Sequence, residues 1–233
     1  MPERPVLVIT HVPHEGPGLI AAALDGWPVT VRTVVDVAAP RLPDVSAIAG
    51  LVVMGGPQDA DDDAGHPGLA AERDLIAAAV AADVPVLGVC LGMQLLAIAL
   101  GSRLVRRSGS EIGFAPITVL ADDPALAPLG TEQTVLHWHS DSVRLPDGAT
   151  LLASSETTPV QAFRFGSALG LQFHLEVDAN LLDLWLTTPA MANELSDDDI
   201  DAIRTDGAAV LPTLIPAGRA ALATFAAAVH ARG

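Results

Sequence analysis

The chain has 233 residues, and 28 acidic against 12 basic side chains give it a formal charge of −16. All the basic residues are Arg, and no basic cluster is larger than Arg103, Arg106 and Arg107, which argues against nucleic acid as a partner. Half the residues are hydrophobic but only 3% are aromatic, so Ala, Val and Leu must build the core. At this length that core needs no disulfide or metal staple.

The first half alternates strand and helix. Val6 to Thr10 is a branched apolar run, followed by a Gly/Pro turn and a helical stretch from Gly18 to Leu24. Val29 to Val35 and Ala47 to Met54 read as further strands, Gly68 to Ala82 as a long Ala-rich helix, and Val86 to Val89 as a strand again. Continuous apolar strands separated by helices predict a parallel sheet covered on both faces, the α/β class. Phe114 to Leu120, Thr131 to Trp138, Thr150 to Ser154, Val160 to Phe165 and Ala168 to Phe173 are short strands joined by turns, predicting a small antiparallel extension. After His174 the pattern is helical: Leu181 to Leu186, Asp197 to Thr205 and Pro216 to Ala231. Ser196 and Asp199 resemble a capping box ahead of the second. No linker divides the chain, so residues 1–233 read as one domain with a helical C-terminal extension over 179–233.

One segment imitates a membrane span. Nineteen uncharged residues lie between Asp83 and Arg103, near the length that crosses a bilayer. Pro85, Gly88, Gly92 and Gln94 interrupt it, so it reads as a buried strand followed by a helix from Leu91 to Leu100, with Gly101 at the helix C-terminus. The N-terminal MPERPVLVITHVPHEG has no signal-peptide pattern, and a single cysteine cannot form an intramolecular disulfide. Together these predict a cytoplasmic protein with no membrane association.

The strongest local signal is Gly88-Val89-Cys90-Leu91-Gly92, which follows a strand and opens a helix. That is the context of a nucleophile elbow, where the residues two before and two after must be small. Cys90 then sits at a helix N-terminus, which favours thiolate over thiol. The second signal is Gln172-Phe173-His174-Leu175-Glu176. In an extended chain Gln172, His174 and Glu176 share one face, which sets an imidazole beside a carboxylate. Cys, His and carboxylate are the parts of an activated nucleophile.

Gly55–Pro57 (GGP), Gly88–Gln94 (GVCLGMQ) and Gln172–Glu176 (QFHLE), in this order, resemble the class I, triad-type glutamine amidotransferase family. Leu136–Asp141 (LHWHSD) is most similar to a stand-alone branch related to the GMP synthetase amidotransferase domain. The resemblance implies a flavodoxin-like sheet sandwiched by helices, with Cys90 as nucleophile, His174 as base and then acid, and Glu176 as its orienter. It further implies that the Gly56 and Leu91 amides form the oxyanion hole, which fits the free N–H groups at a glycine pair and a helix start. Gly55, Gln94, Glu111 and Gly113 would contact substrate, the last two from a loop. Leu175, Ser140 and Val160 depart from the commoner family residues without removing a catalytic atom.

The implied activity is hydrolysis of the γ-amide of glutamine, or of another γ-glutamyl compound, with no metal or organic cofactor. An amidotransferase passes ammonia to a synthetase partner, whereas a γ-glutamyl hydrolase acts alone; the roughly 55 residues after Val177 are too few for a synthetase domain. A catalytically silent regulatory or binding module is the rival from another class, disfavoured by an intact Cys90, His174 and Glu176. His137 and His139 lack a third ligand at a zinc-like spacing and read as structural or rim residues. Asp59, Asp61, Asp62 and Asp63 read as a solvated loop near the site mouth, and His11 and His14 as loop histidines.

Overall fold

Branched apolar runs become the central strands, and the alternation of their side chains divides the core in two. The computed structural model describes residues 4–107, 109–193 and 195–232; residues 1–3, 108, 194 and 233 of the expected 1–233 span and 179–233 extension lie outside this. In chain order the elements are β1 (Val6–Ile9), α1 (Gly18–Ala23), β2 (Val29–Arg32), β3 (Gly50–Val53), α2 (Gly68–Ala81), β4 (Val86–Val89), α3 (Leu91–Ala99), β5 (Leu104–Val105) and β6 (Glu111–Val119). Then follow β7 (Glu132–His139), β8 (Ser142–Val143), β9 (Thr150–Ser154), β10 (Ala162–Phe165), β11 (Ala168–Leu171), α4 (Ala179–Thr187), α5 (Pro189–Ala192) and α6 (Asp197–Arg232).

Among the described residues the main sheet has nine strands in the order β2-β1-β3-β4-β11-β10-β9-β6-β7, and β5 pairs separately with β8. The run from β2 to β11 is parallel, and β10, β9, β6 and β7 continue it antiparallel. The antiparallel extension is thus part of the same sheet rather than an appendage. Val6, Val8, Val52, Leu87 and Val89 face one core with α1, α4 and α6, while Leu7, Ile9, Leu51, Val53 and Val86 face the other with α2 and α3. This is the two-sided burial that continuous apolar strands demand.

Several boundaries move for local reasons. The strand expected over Val29–Val35 ends at Arg32, because the residues after it pack on the start of α2 instead: Gly68 N–H donates to Val35 O at 2.8 Å, and a side chain at Gly68 would collide with Val34 O. The strand expected from Ala47 starts at Gly50, since Val45–Ala47 forms a 3-10 turn capped by Asp44, whose carboxylate accepts from Ser46 N–H at 2.8 Å.

The largest difference is at the C-terminus. The sequence pattern predicts two helices there, Asp197 to Thr205 and Pro216 to Ala231, but α6 is continuous from Asp197 to Arg232 with Pro212 and Pro216 inside it. Each proline removes one backbone donor and normally breaks a helix. Here Ile203, Gly207, Leu211, Leu214, Gly218, Leu222, Phe225 and Val229 recur at three- and four-residue spacing and are buried, so tertiary packing outweighs the two lost bonds. The Ser196–Asp199 capping box is present: Ser196 N–H donates to the Asp199 carboxylate at 2.9 Å, and Asp199 N–H to Ser196 Oγ at 3.1 Å.

The uncharged stretch between Asp83 and Arg103 is β4 and α3 in the core, as expected. By length and composition α6 is the one helix among the described residues that could cross a membrane. In this fold it packs against α1, α4, β6 and β7.

Glycine is required where β4 meets α3. A side chain at Gly92 would collide with Val53 O, and one at Gly88 would meet Gly92 O at 2.5 Å. Gly92→Ala is therefore expected to lower unfolding free energy by about 1–3 kcal/mol, as overpacking does, read as a lower urea midpoint. An unchanged midpoint would show that β3 and α3 can separate without cost.

Candidate active site

The elbow expected from GVCLG is present in the backbone. Cys90 has φ 51° and ψ −108°, between the last residue of β4 and the first of α3. A non-glycine residue with positive φ is strained and must be over-determined by its surroundings. Here Cys90 N–H donates to Leu171 O at 2.8 Å, Gly92 N–H to Met54 O at 3.1 Å, and Gln94 N–H to Cys90 O at 3.1 Å. Neighbouring strands on both sides hold the turn closed.

His174 arrives beside it through sheet register. β11 and β4 are parallel neighbours with Gly170 opposite Gly88 and Leu171 opposite Val89, so the residues after β11 run past Cys90. Strand β11 ends at Leu171, two residues earlier than expected. His174 is held instead by one isolated bridge to β7, its N–H donating to Leu136 O at 2.9 Å. His174 Nδ1 lies 2.7 Å from Glu176 Oε1, and both side chains are buried. Trp185, fully buried on α4, meets the imidazole edge-on at 4.9 Å and packs on Trp138 at 5.6 Å.

The electrostatics follow from burial and pairing. Burial alone would depress the His174 pKa, but the charge and hydrogen bond of Glu176 and the nearby Cys90 thiol raise it well above the ordinary value. Nδ1 is taken by Glu176, which leaves Nε2 on the side of the nearby Cys90 thiol. The Cys90 thiol donates to Trp138 O at 3.7 Å.

Gly55 and Gly56 follow β3 beside the elbow. A side chain at Gly56 would meet His11 Cβ at 2.7 Å and Leu91 Cδ2 at 2.9 Å, so only glycine fits against α3. Leu91 opens α3, so its N–H has no carbonyl one turn earlier within the helix. His11 differs from the expected loop histidine. It is buried, with Nδ1 2.9 Å from Gly55 O and Nε2 2.9 Å from Glu72 Oε2. Burial opposes its charge, but Glu72 and the Gly55 carbonyl raise its pKa. Glu72 was legible in principle: it stands in the buried stripe Leu69, Glu72, Ile76, Ala79 of α2, where an acid needs a partner. His14 instead supplies a carbonyl, which accepts from Trp185 Nε1 at 2.8 Å.

Gln94, one turn into α3, donates to Asp141 O at 3.3 Å and to Gln172 Oε1 at 3.4 Å, so it links the elbow helix to the segment after β7. Glu111 and Gly113 lie on strand β6, not in a loop. Gly113, with φ 104°, pairs with His137 and has its open side 3.4 Å from Ile203 of α6. The expected acidic loop is tied down by Arg106 to Asp59 and Asp61, and by Arg73 to Asp63.

Glu111 supplies the third ligand-type group that the sequence did not reveal near His137 and His139. It stands opposite His139 in the β6–β7 ladder, and donor atoms of the three residues lie within 4.8 Å of one another. His139 Nε2 is 3.2 Å from Glu111 Oε2; Gln161 Nε2 donates to Glu111 Oε2 and Ser155 Oγ to Glu111 Oε1, both at 2.7 Å. The geometry is that of a buried hydrogen-bonded network with the carboxylate as its acceptor.

That network is acid-sensitive. Burial is the main cause that lowers the His137 pKa to about 4. Burial pushes the Glu111 carboxyl up, but hydrogen bonds from His139, Thr157, Ser155 and Thr158 hold it well below the usual range. A depressed histidine and a depressed carboxyl both favour proton uptake by the unfolded chain, so stability falls as pH drops. For His137 the window runs from the unfolded value near 6.5 to about 4 and is worth up to ~3 kcal/mol. Melting temperature is expected to fall through this window, less steeply in His137→Gln; parallel slopes would remove His137 as the cause.

Known proteins place this geometry in a family. The family described as "Glutamine amidotransferase class-I" matches residues 26–186. The chain is 39% identical over 141 residues to a glutamine amidotransferase-like protein, YfeJ, of Salmonella typhimurium, a match covering 58% of this chain and 59% of that one. It is 37% identical over 174 residues to a glutamine-hydrolyzing GMP synthase subunit of Halobacterium salinarum, covering 72% of this chain and 83% of that one. Among solved structures, a glutamine amidotransferase from Thermotoga maritima superposes with a TM-score of 0.87 at 28% identity, covering 97% of this chain and 99% of that one. One from Methylobacillus flagellatus superposes at 0.84 with 30% identity, covering 97% and 95%. By sequence, site geometry and fold, the chain belongs to the class-I glutamine amidotransferase family.

Proposed function

We propose that this protein hydrolyses the γ-amide of glutamine through a covalent γ-glutamyl thioester on Cys90, with residues 1–233 acting as one domain. The observation that carries the reading is the strained Cys90 elbow set beside a buried His174–Glu176 pair at 2.7 Å. The raised His174 pKa suits an imidazole that takes the thiol proton and holds it for the leaving group. The thiolate attacks the γ-carbonyl, and the oxyanion forms against the Gly56 and Leu91 amides. His174 gives its proton to the departing nitrogen as the C–N bond breaks. It then takes a proton from water, whose attack on the thioester releases glutamate and frees Cys90. Glu176 holds the imidazole in the required tautomer throughout. Gly55 shapes the oxyanion turn, and Gln94 and Glu111 line or brace the pocket for the glutamyl end. Gly113 contributes through the β6–β7 backbone.

The Halobacterium salinarum relative is one subunit of a glutamine-hydrolyzing GMP synthase, and this likeness favours ammonia transfer to a synthetase partner. Stimulation of glutaminase activity by a copurifying synthetase supports that branch; full turnover of γ-glutamyl conjugates by the isolated chain supports a hydrolase acting alone.

Release of ammonia from glutamine is the direct test. Cys90→Ala is expected to lower kcat by roughly 10³-fold or more, as loss of a catalytic nucleophile does. Equal rates in the two proteins would overturn the reading. A thiol-reactive glutamine analogue should label Cys90, with protection by glutamine. Glu176→Gln keeps the shape but offers the wrong hydrogen-bond partner to the imidazole. It is expected to cost roughly 10²-fold or more in kcat with KM little changed, and a selective rise in KM would reassign Glu176 to binding.

A further inference from the structure

Between β1 and α1 the chain carries a carboxylate that the proposed chemistry does not use. Glu15 is 6% exposed, and among the described residues no hydrogen bond or ion pair reaches its carboxylate, whose oxygens keep contact with solvent. Its Oε2 occupies the space a side chain at Gly55 would fill, and Cys90 Cβ lies 3.6 Å from that same point. The charges that act on it are those of the site: His174 and His11 draw it toward ionisation and Glu176 opposes it, while burial raises its pKa. A carboxylate held at the site without a protein partner is free to accept a hydrogen bond from a bound ligand.

The loop is built to hold it there. On one side His11 is tied to Gly55 O and Glu72. Next to Glu15, His14 O accepts from Trp185, the same indole that braces His174. On the other side Leu19 N–H donates to Glu176 O at 2.8 Å, and Gly18, at φ 44°, leaves room for that carbonyl. Three anchors over nine residues, each reaching a residue that touches the triad or the glycine turn, fix Glu15 against the elbow. Gln94 on α3 donates to the Asp141 carbonyl after β7 and to Gln172 after β11, a polar group that suits the glutamyl end of a substrate. Glu15 also lies near enough to His174, the proton donor to the departing nitrogen in the proposed chemistry, for the imidazole to act on its charge.

We propose that Glu15 is the leaving-group recognition residue, accepting a hydrogen bond from the N–H of the scissile amide. The substrate class that follows is γ-glutamyl amides bearing N–H on the leaving nitrogen, in preference to γ-esters of the same shape. This rests on the proposed γ-glutamyl hydrolysis. Glu15 exchanges no proton in the step: the C–N bond breaks, the S–C bond forms, and the proton on the leaving nitrogen comes from His174.

The test compares glutamine with glutamate γ-methyl ester, which has no N–H at the leaving atom. Calorimetric binding to Cys90→Ala should favour glutamine about ten- to a hundredfold, the range for a hydrogen bond to a charged acceptor. Adding Glu15→Gln or Glu15→Ala should shrink that preference. In turnover, the same Glu15 variants with Cys90 intact should lose about tenfold or more in kcat/KM on glutamine and change ester hydrolysis less than about threefold. A loss equal on both substrates makes Glu15 merely structural and overturns the inference, as does absence of any preference when Glu15 is intact. Wild type that turns over neither substrate overturns the hydrolase reading alone; the binding comparison still decides Glu15.

Discussion

The backbone at Cys90 is bent into a region that L-residues avoid, and much of the fold can be traced from what holds it there. A Cβ at Gly88 would strike Gly92, and one at Gly92 would strike the Val53 carbonyl of the next strand. Cys90 N–H is tied to β11, and Gly92 N–H to the end of β3. The strain is borne by the two parallel neighbours of β4, which is why the turn sits in the middle of the sheet rather than at an edge. Its result is a thiol at the start of a helix, at the carboxyl ends of the strands, where open α/β sheets bind ligands.

Around that point the parallel register does the rest. The in-register pairing of β4 and β11 turns a separation of more than eighty residues in sequence into adjacency in space. β7 crosses over the site, bridging to His174 and offering the Trp138 carbonyl to Cys90. Trp185 shows how the helical C-terminal part contributes: one indole packs on His174 and on Trp138 and fastens the loop at His14. α4, β7 and the β1–α1 loop are therefore coupled through one aromatic side chain.

Two buried polar networks join histidines to carboxylates near the site, and they favour different histidine forms. Around Glu111 the carboxylate gathers donors and stays ionised, while His137 is kept neutral. Around His11 the pairing with Glu72 favours the charged imidazole. Each is anchored on the turn or strand that shapes the pocket, the first through β6 and β7 and the second through Gly55. Both depend on being dry, because the same low dielectric that strengthens the paired groups penalises any that lose a partner.

The sequence by itself determined the elbow, the central strands and the His174–Glu176 adjacency, because each is written in local spacing: glycines two apart from a cysteine, branched apolar runs, and a histidine two residues from an acid. It could not reveal the continuity of α6 through Pro212 and Pro216, since the bonds those prolines delete are local and the packing that outweighs them is not. His11 and Glu72, 61 residues apart, met only through the sheet, as did Glu111 with His139 across a ladder. Glu15 is the extreme case. Nothing in HVPHEGPG distinguishes it from a solvated loop acid, and only the fold buries it beside Gly55 without a partner. Local patterns state what a segment can form; which polar groups end up dry and facing one another is decided by long-range register and packing.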